Sequence, residues 1–80
     1  MLDELRKLLK DELQTIKETA LTKRSKCLRY GQDVFNKCYM KFPHSVNTLR
    51  GTEYDCFYKD DKVDLFLEKL EKTIIEKILE

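Results

Sequence analysis

The sequence predicts an all-α protein: a long N-terminal helix and a C-terminal helix packed antiparallel, an ordered aromatic loop between them, and a helical-bundle homodimer completing the core. Three observations predict it. Apolar residues recur every three or four positions toward both ends of the chain, the spacing that places them on one face of a helix. Two glycines and one proline in 80 residues leave no flexible linker. The composition, 41% hydrophobic and 39% charged, supplies one core and no more, so residues 1–80 are expected to form a single small helical domain. A chain this short buries only roughly 60 to 65% of the surface its unfolded form exposes, which is why a second copy is expected to help.

The first element rests on Leu2, Leu5, Leu9, Leu13, Ile16 and Ala20, which share one helical face. The first five fall close to heptad spacing and are the candidate oligomer interface. The same period runs on through Cys27, Gly31, Val34, Phe35, Cys38 and Phe42, and no glycine or proline interrupts residues 2–30. One helix to about Lys41 is the first expectation. The competing one is a break near Thr22-Lys23-Arg24-Ser25, where apolar positions lapse and Thr or Ser can cap a new helix.

Phe42-Pro43 should end the helical run, since proline lacks an amide donor and pushes its predecessor out of the helical region. Residues 43 to about 60 then lack periodicity. Within them Ser45 to Arg50 suit a short turn of helix closed by Gly51 in the left-handed conformation. Tyr54, Phe57 and Tyr58 are too apolar to stay in solvent together, so an ordered loop is expected. The last helix should begin at Asp60 or Asp61, either of which suits an N-cap. Its apolar positions are Val63, Phe66, Leu67, Leu70, Ile74, Ile75 and Ile78, and an exposed pair such as Glu68 with Lys72 adds only a few tenths of a kcal/mol.

A net charge of +1 gives no global attraction to nucleic acid or an anionic membrane. The distribution is uneven: residues 23–41 hold six basic side chains and one acidic, and residues 53–61 hold one basic and four acidic. Three cysteines are an odd number and suit reduced thiols in a cytosol better than a secreted disulfide framework. The charged N-terminus has no apolar core of a leader peptide. Purely aliphatic or aromatic runs reach only three residues, against about 20 for a membrane span. These observations predict a cytoplasmic protein.

Chemistry-bearing residues are few. Cys27, Cys38, His44 and Cys56 are a sufficient donor set for zinc, but no two stand closer than six residues, whereas structural zinc sites usually bring two ligands in on one turn. Buried thiols are the plainer expectation, and in one helix Cys27 and Cys38 would lie about 16 Å apart, too far to bond. His44 beside Ser45 does not make a nucleophile and base pair, because adjacent residues rarely reach that geometry. The acids Glu53, Asp55, Asp60 and Asp61 lack calcium-loop spacing and suit capping and solvation. No catalytic residue, metal or cofactor is expected. The basic cluster Lys23, Arg24, Lys26 and Arg29, with Arg50, is a candidate for binding phosphate or a partner, or a solvated face pairing with the acidic stretch 53–61.

Two segments stand out: Arg29-Tyr30-Gly31-Gln32-Asp33-Val34-Phe35-Asn36 and Arg50-Gly51-Thr52-Glu53-Tyr54-Asp55-Cys56-Phe57-Tyr58. Glycine inside a helix costs up to about 1 kcal/mol relative to alanine, so Gly31 implies a close approach by another backbone, a bulky side chain or a ligand. The expected arrangement lays Tyr54, Phe57 or Tyr58 across the Gly31 and Phe35 face, with Asp55 in the loop. Arg29, Gln32, Asn36 and Arg50 either satisfy loop backbone groups or form a polar binding surface. The pattern R-x-G-Q-x-x-F-N followed by R-G-T-x-x-D-x-F-Y and an amphipathic helix resembles small uncharacterised proteins encoded by bacteriophages and prophages, over Arg29 to about Leu70. That pattern commonly carries proline where this chain has Cys56. The resemblance implies a mobile-element origin and a bacterial cytoplasm, and no established activity.

The functional expectation is a non-enzymatic protein that self-associates and binds a host or phage partner protein. The alternative is a nucleic-acid or nucleotide binder using residues 23–29 and Arg50 on phosphates, with Tyr30 or Tyr54 stacking on bases.

Overall fold

The computed structural model describes residues 2–23 and 27–79, which fold into four helices packed on one core. Helix α1 spans Leu2–Lys23, α2 Tyr30–Lys41, α3 Pro43–Leu49 and α4 Val63–Leu79, the last entered directly from a 3₁₀ turn at Asp60–Lys62. There is no strand among the described residues. Helix α1 packs on α2 and α4, and α3 packs on the same two helices.

The single long helix to Lys41 does not form. A straight helix of 40 residues would extend about 60 Å and could not fold its two halves onto one core. The chain instead turns back after α1, so that Leu9, Leu13, Ile16 and Ala20 meet Val34, Phe35 and Cys38 of α2 and Val63, Phe66, Leu67, Leu70 and Ile75 of α4 in one core. The expected break near residues 22–25 falls at the right place, by a different device. The Thr22 hydroxyl donates to the Glu18 carbonyl within α1 at 2.9 Å, so it caps nothing downstream. Ser25, with Arg24 and Lys26, lies outside the described residues. The N-cap of α2 is Arg29, whose extended backbone has no side-chain cap of its own.

Pro43 is also put to a different use from the one expected. It ends α2 but opens α3 as that helix's first residue, where its missing N–H would be unpaired in any case. Phe42 forms the corner, donating its amide to the Cys38 carbonyl at 2.7 Å and accepting from the Val46 amide at 3.0 Å. The aromatic loop is therefore shorter than 43–60, because its first seven residues are helix. Gly51 follows α3 with φ +76°, the left-handed position expected of it.

The stripe expected to form a dimer seam is covered within the protomer. Leu9, Leu13 and Ile16 are only 7%, 4% and 5% exposed, and Leu5 is half-buried. The Leu2 side chain lies outside what the structure describes. A radius of gyration of 12.2 Å matches the roughly 11.6 Å expected for a compact 80-residue chain.

Ion pairs tie the helices at the surface: Lys10 with Glu71 at 4.0 Å, Lys17 with Asp64 at 2.5 Å, and Lys41 with Glu12. The predicted Glu68–Lys72 pair is present at 3.8 Å, with both side chains exposed. Among the described residues no helix is long and apolar enough to cross a membrane.

Candidate functional site

Gly31 is the point on which the site is built. It is buried in the first turn of α2, and a Cβ there would fall well inside 3.0 Å of the Cys56 carbonyl oxygen. The close neighbour predicted from the sequence is therefore loop backbone: the atoms nearest the position of that Cβ are the Cys56 and Lys59 carbonyl oxygens and Asp60 Oδ1, with no ring atom nearer. The Gly31 amide donates to Asp60 Oδ1 at 2.9 Å, and the Cys56 thiol reaches the Gly31 carbonyl at 3.4 Å. Asp60 thus caps α2 across 29 residues, whereas the sequence suggested that it caps the last helix. The turn leading into α4 begins from Lys59, without a side-chain cap.

The loop carries its own internal ties. Asp55 accepts from the Gly51 amide at 2.8 Å with one carboxylate oxygen and from the Phe57 amide at 2.9 Å with the other. The Thr52 hydroxyl donates to the Leu49 carbonyl at 2.5 Å and accepts from the Tyr54 amide at 3.2 Å. Arg29 closes the far side: its guanidinium donates to the Phe57 carbonyl at 3.2 Å, reaches the Tyr58 carbonyl at 3.5 Å, and stands 5.5 Å from the centre of the Tyr58 ring.

These ties hold Tyr54 and Phe57 against the core and leave Tyr58 outermost. Phe57 meets Phe35 edge to face at 5.4 Å and Tyr58 at 4.7 Å, while Phe35 continues inward to Phe66 at 5.6 Å. Tyr54 packs against the core on the other side of the loop, with the Lys69 ammonium 5.4 Å from its ring. Between α2 and the loop lies a cleft of about 250 Å³ lined by Phe35, Arg50, Gly51, Asp55, Phe57 and Tyr58. Tyr58 is 74% exposed beside it, and the Arg50 side chain makes no hydrogen bond or ion pair to the described residues.

The predicted site residues therefore divide. Arg29 braces the loop, one of the two roles the sequence leaves open for Arg29, Gln32 and Arg50. Gln32 and Asn36 are half-buried on α2, make no side-chain hydrogen bond to the described residues, and lie on the helical arc that joins Arg29 to Phe35 and Tyr39. Lys23 is exposed at the end of α1, and Arg24 and Lys26 lie outside the described residues. No ion pair joins Lys23 or Arg29 to the acidic stretch 53–61 among the described residues. Thr52 and Asp60 are the structural residues the sequence reading missed. The R-G-T-x-x-D spacing, a turn motif with its own acceptor, was the signal for Thr52, whereas Asp60 acts at long range and left none.

Cysteines and the histidine do not converge. Cys38 and Cys56 are buried, and burial pushes both thiols up to about 12, so each stays protonated at neutral pH. Cys27 is exposed, against the expectation of three buried thiols, and His44 is exposed on the first turn of α3. No cluster of metal-ligating side chains occurs among the described residues. A depression of about 330 Å³ lies where α3 meets the end of α4, and two larger ones, about 470 and 410 Å³, run between α1 and α4. Their charges already answer one another, as in Lys10–Glu71 and Lys17–Asp64. The cleft beside Arg50 is smaller, but there the available cation and the exposed aromatic surface coincide.

No protein-family model matches this chain, and no curated protein or solved structure matches it either.

Proposed function

We propose that this is a non-enzymatic partner-binding protein whose contact surface is the outer face of α2 together with the loop 50–58. The observation that carries the reading is the cleft itself: aromatic walls, an exposed Tyr58 and an Arg50 guanidinium with no partner of its own among the described residues. Tyrosine and arginine dominate the residues that hold protein interfaces together, and here they cluster on a rigid scaffold. A non-enzymatic role is supported by the chemistry of the candidate nucleophiles. Cys38 and Cys56 are protonated and enclosed, and Ser45 is buried while the neighbouring His44 faces solvent.

The motif resemblance described above adds the setting: a small phage- or mobile-element-type protein acting on a host or phage protein in a bacterial cytoplasm. Self-association is not part of this reading, because Leu9, Leu13 and Ile16 of the expected seam pack in the protomer's own core. Nucleic-acid binding has less support, since Arg29, the central member of the basic cluster, is engaged with the loop carbonyls.

The test is site-specific photo-crosslinking in the cell of origin, with a benzophenone side chain at position 58 and, as a control, at Thr15 on the exposed surface of α1. A discrete protein adduct from position 58, absent from position 15 and lost with Arg50→Gln, is expected. Adducts only with nucleic acid, or only from the α1 position, would sink the proposal.

A further inference from the structure

We infer that the cleft between α2 and the loop reads a short acidic peptide segment, seating one apolar side chain against Phe35 and Phe57 while Arg50 takes a neighbouring carboxylate. This rests on the partner-binding reading and adds the chemistry of what is bound.

Size sets the first limit. Pockets that enclose a whole small molecule usually span about 300 to 1,000 Å³. At about 250 Å³ this cleft accommodates an anchor side chain and not a dinucleotide. The walls set the second. Phe35 and Phe57 cross at 88° with centroids 5.4 Å apart, and Tyr58 continues the apolar surface outward. An apolar side chain entering there removes ring faces from water.

Charge sets the third. Asp55 lines the cleft and keeps its negative charge, with both oxygens accepting backbone amides of the loop and no ion pair to Arg50 among the described residues. The Arg29 guanidinium adds a second positive charge beside Tyr58. Two guanidiniums against the one Asp55 carboxylate leave these groups with a net positive charge, and the rim favours an anion. A single available guanidinium forks onto one carboxylate in a bidentate pair. Phosphate sites gather several donors, often at a helix N-terminus. Here the Gly31 amide at the start of α2 is already taken by Asp60. A peptide carboxylate is the anion that fits.

The experiment is an amide NMR titration of the full chain with four probes: acetyl-Ala-Phe-Glu-Ala-amide, the same peptide with Gln or with Lys in place of Glu, and adenosine monophosphate. The glutamate peptide should shift the Phe35, Gly51 and Tyr58 amides in a saturable way, and the glutamine peptide should bind about fivefold more weakly. Arg50→Gln should reduce the glutamate peptide to the level of the glutamine peptide and leave the latter unchanged. Tyr58→Ala should weaken both peptides equally. Equal binding of the three peptides in the cleft would overturn the ligand class and leave the partner-binding reading standing. Tighter binding of the nucleotide would overturn the ligand class in favour of phosphate. No shift in the cleft at millimolar probe would also overturn it. If crosslinking at position 58 failed as well, the partner-binding reading would fall with it.

Discussion

Gly31→Ala should be among the most damaging single-methyl additions in this protein, against the usual rule that alanine improves a helix. At an unhindered helical site the exchange stabilises by up to about 1 kcal/mol. Here the new Cβ would collide with the Cys56 carbonyl oxygen and would also stand 3.1 Å from Asp60 Oδ1 and 3.2 Å from the Lys59 carbonyl oxygen. Two of those three atoms are backbone, so the segment 56–60 must move as a unit. Overpacking of this kind costs about 1 to 3 kcal/mol. Moving the segment also lengthens the Gly31 amide to Asp60 bond, a hydrogen bond to a charged acceptor worth about 1.5 to 3 kcal/mol. After the helix-propensity gain, the net loss is about 2 to 4 kcal/mol.

For a domain of this length each kcal/mol moves the midpoint by about 4 to 8 °C, so the melting midpoint followed by helical circular dichroism should fall by at least about 8 °C. Gly51→Ala is the control. No atom lies within 4 Å of its added methyl, and its φ of +76° alone should cost about 1 to 2 kcal/mol. A Gly31→Ala protein as stable as the parent, or less affected than Gly51→Ala, would mean that the Cys56 carbonyl does not press on α2 and that the account of the cleft is wrong.

Other consequences can be measured with the same equipment. Asp60→Ala should cost about 1 to 2 kcal/mol in urea unfolding by uncapping α2, and Asp60→Asn, which keeps a carbonyl acceptor, should recover about half; equal stabilities would remove the long-range cap. Leu13→Ala should cost about 2 to 5 kcal/mol with a midpoint independent of protein concentration, since Leu13 is covered by its own chain; a midpoint that rises with concentration would restore the dimer seam. Burial raises the Cys38 and Cys56 thiols from 9.0 to about 12, so above pH 9 the unfolded chain loses protons that the folded chain retains. Stability should then fall by about 1.4 kcal/mol per thiol, about 3 kcal/mol together, between pH 7 and 10. Replacing both cysteines with alanine should flatten that slope, and an unchanged slope would refute the assignment.

The parts of the fold legible in the sequence were those written in local periodicity. The stripe Leu9, Leu13, Ile16 and Ala20, and the run from Val63 through Ile75, name their helices and their core faces without ambiguity, because three-four spacing has one geometric meaning. Gly31 and Gly51 were legible as well, each as a departure from what its surroundings would otherwise prefer. The use of the stripe was not legible. Periodicity says that a face is apolar but not whether its cover comes from the same chain, and here Phe66 and Leu70 of α4 join that core. Pro43 was half legible for a similar reason, since the lack of an amide both stops one helix and suits the first residue of the next. Within the site, sequence reasoning brought the correct segments together and left open which of Arg29, Gln32 and Arg50 braces the loop. Arg29 and Arg50 look alike in sequence, and only the path of the loop decides which one meets the Phe57 carbonyl.

That path also explains why a small chain can hold an aromatic cleft open at its surface. The loop is fixed at both ends of the segment that forms the wall: Asp55 binds the amides on either side of Cys56, and Asp60 and the Cys56 thiol clamp the exit onto Gly31. Cys56 itself is fully buried, so the residues flanking it have little freedom to collapse inward. Phe57 and Tyr58 are consequently presented before any ligand arrives, and the ordering cost that usually opposes loop-mediated binding is largely met during folding. The same coupling makes binding sensitive to residues that never touch the ligand. A Gly31 or Asp60 substitution that leaves the helices intact but loosens segment 56–60 should weaken capture at position 58 in proportion to the loss of loop order. In amide exchange that loss should appear at Phe57 and Lys59 before it reaches Phe66 or Leu70 in the core.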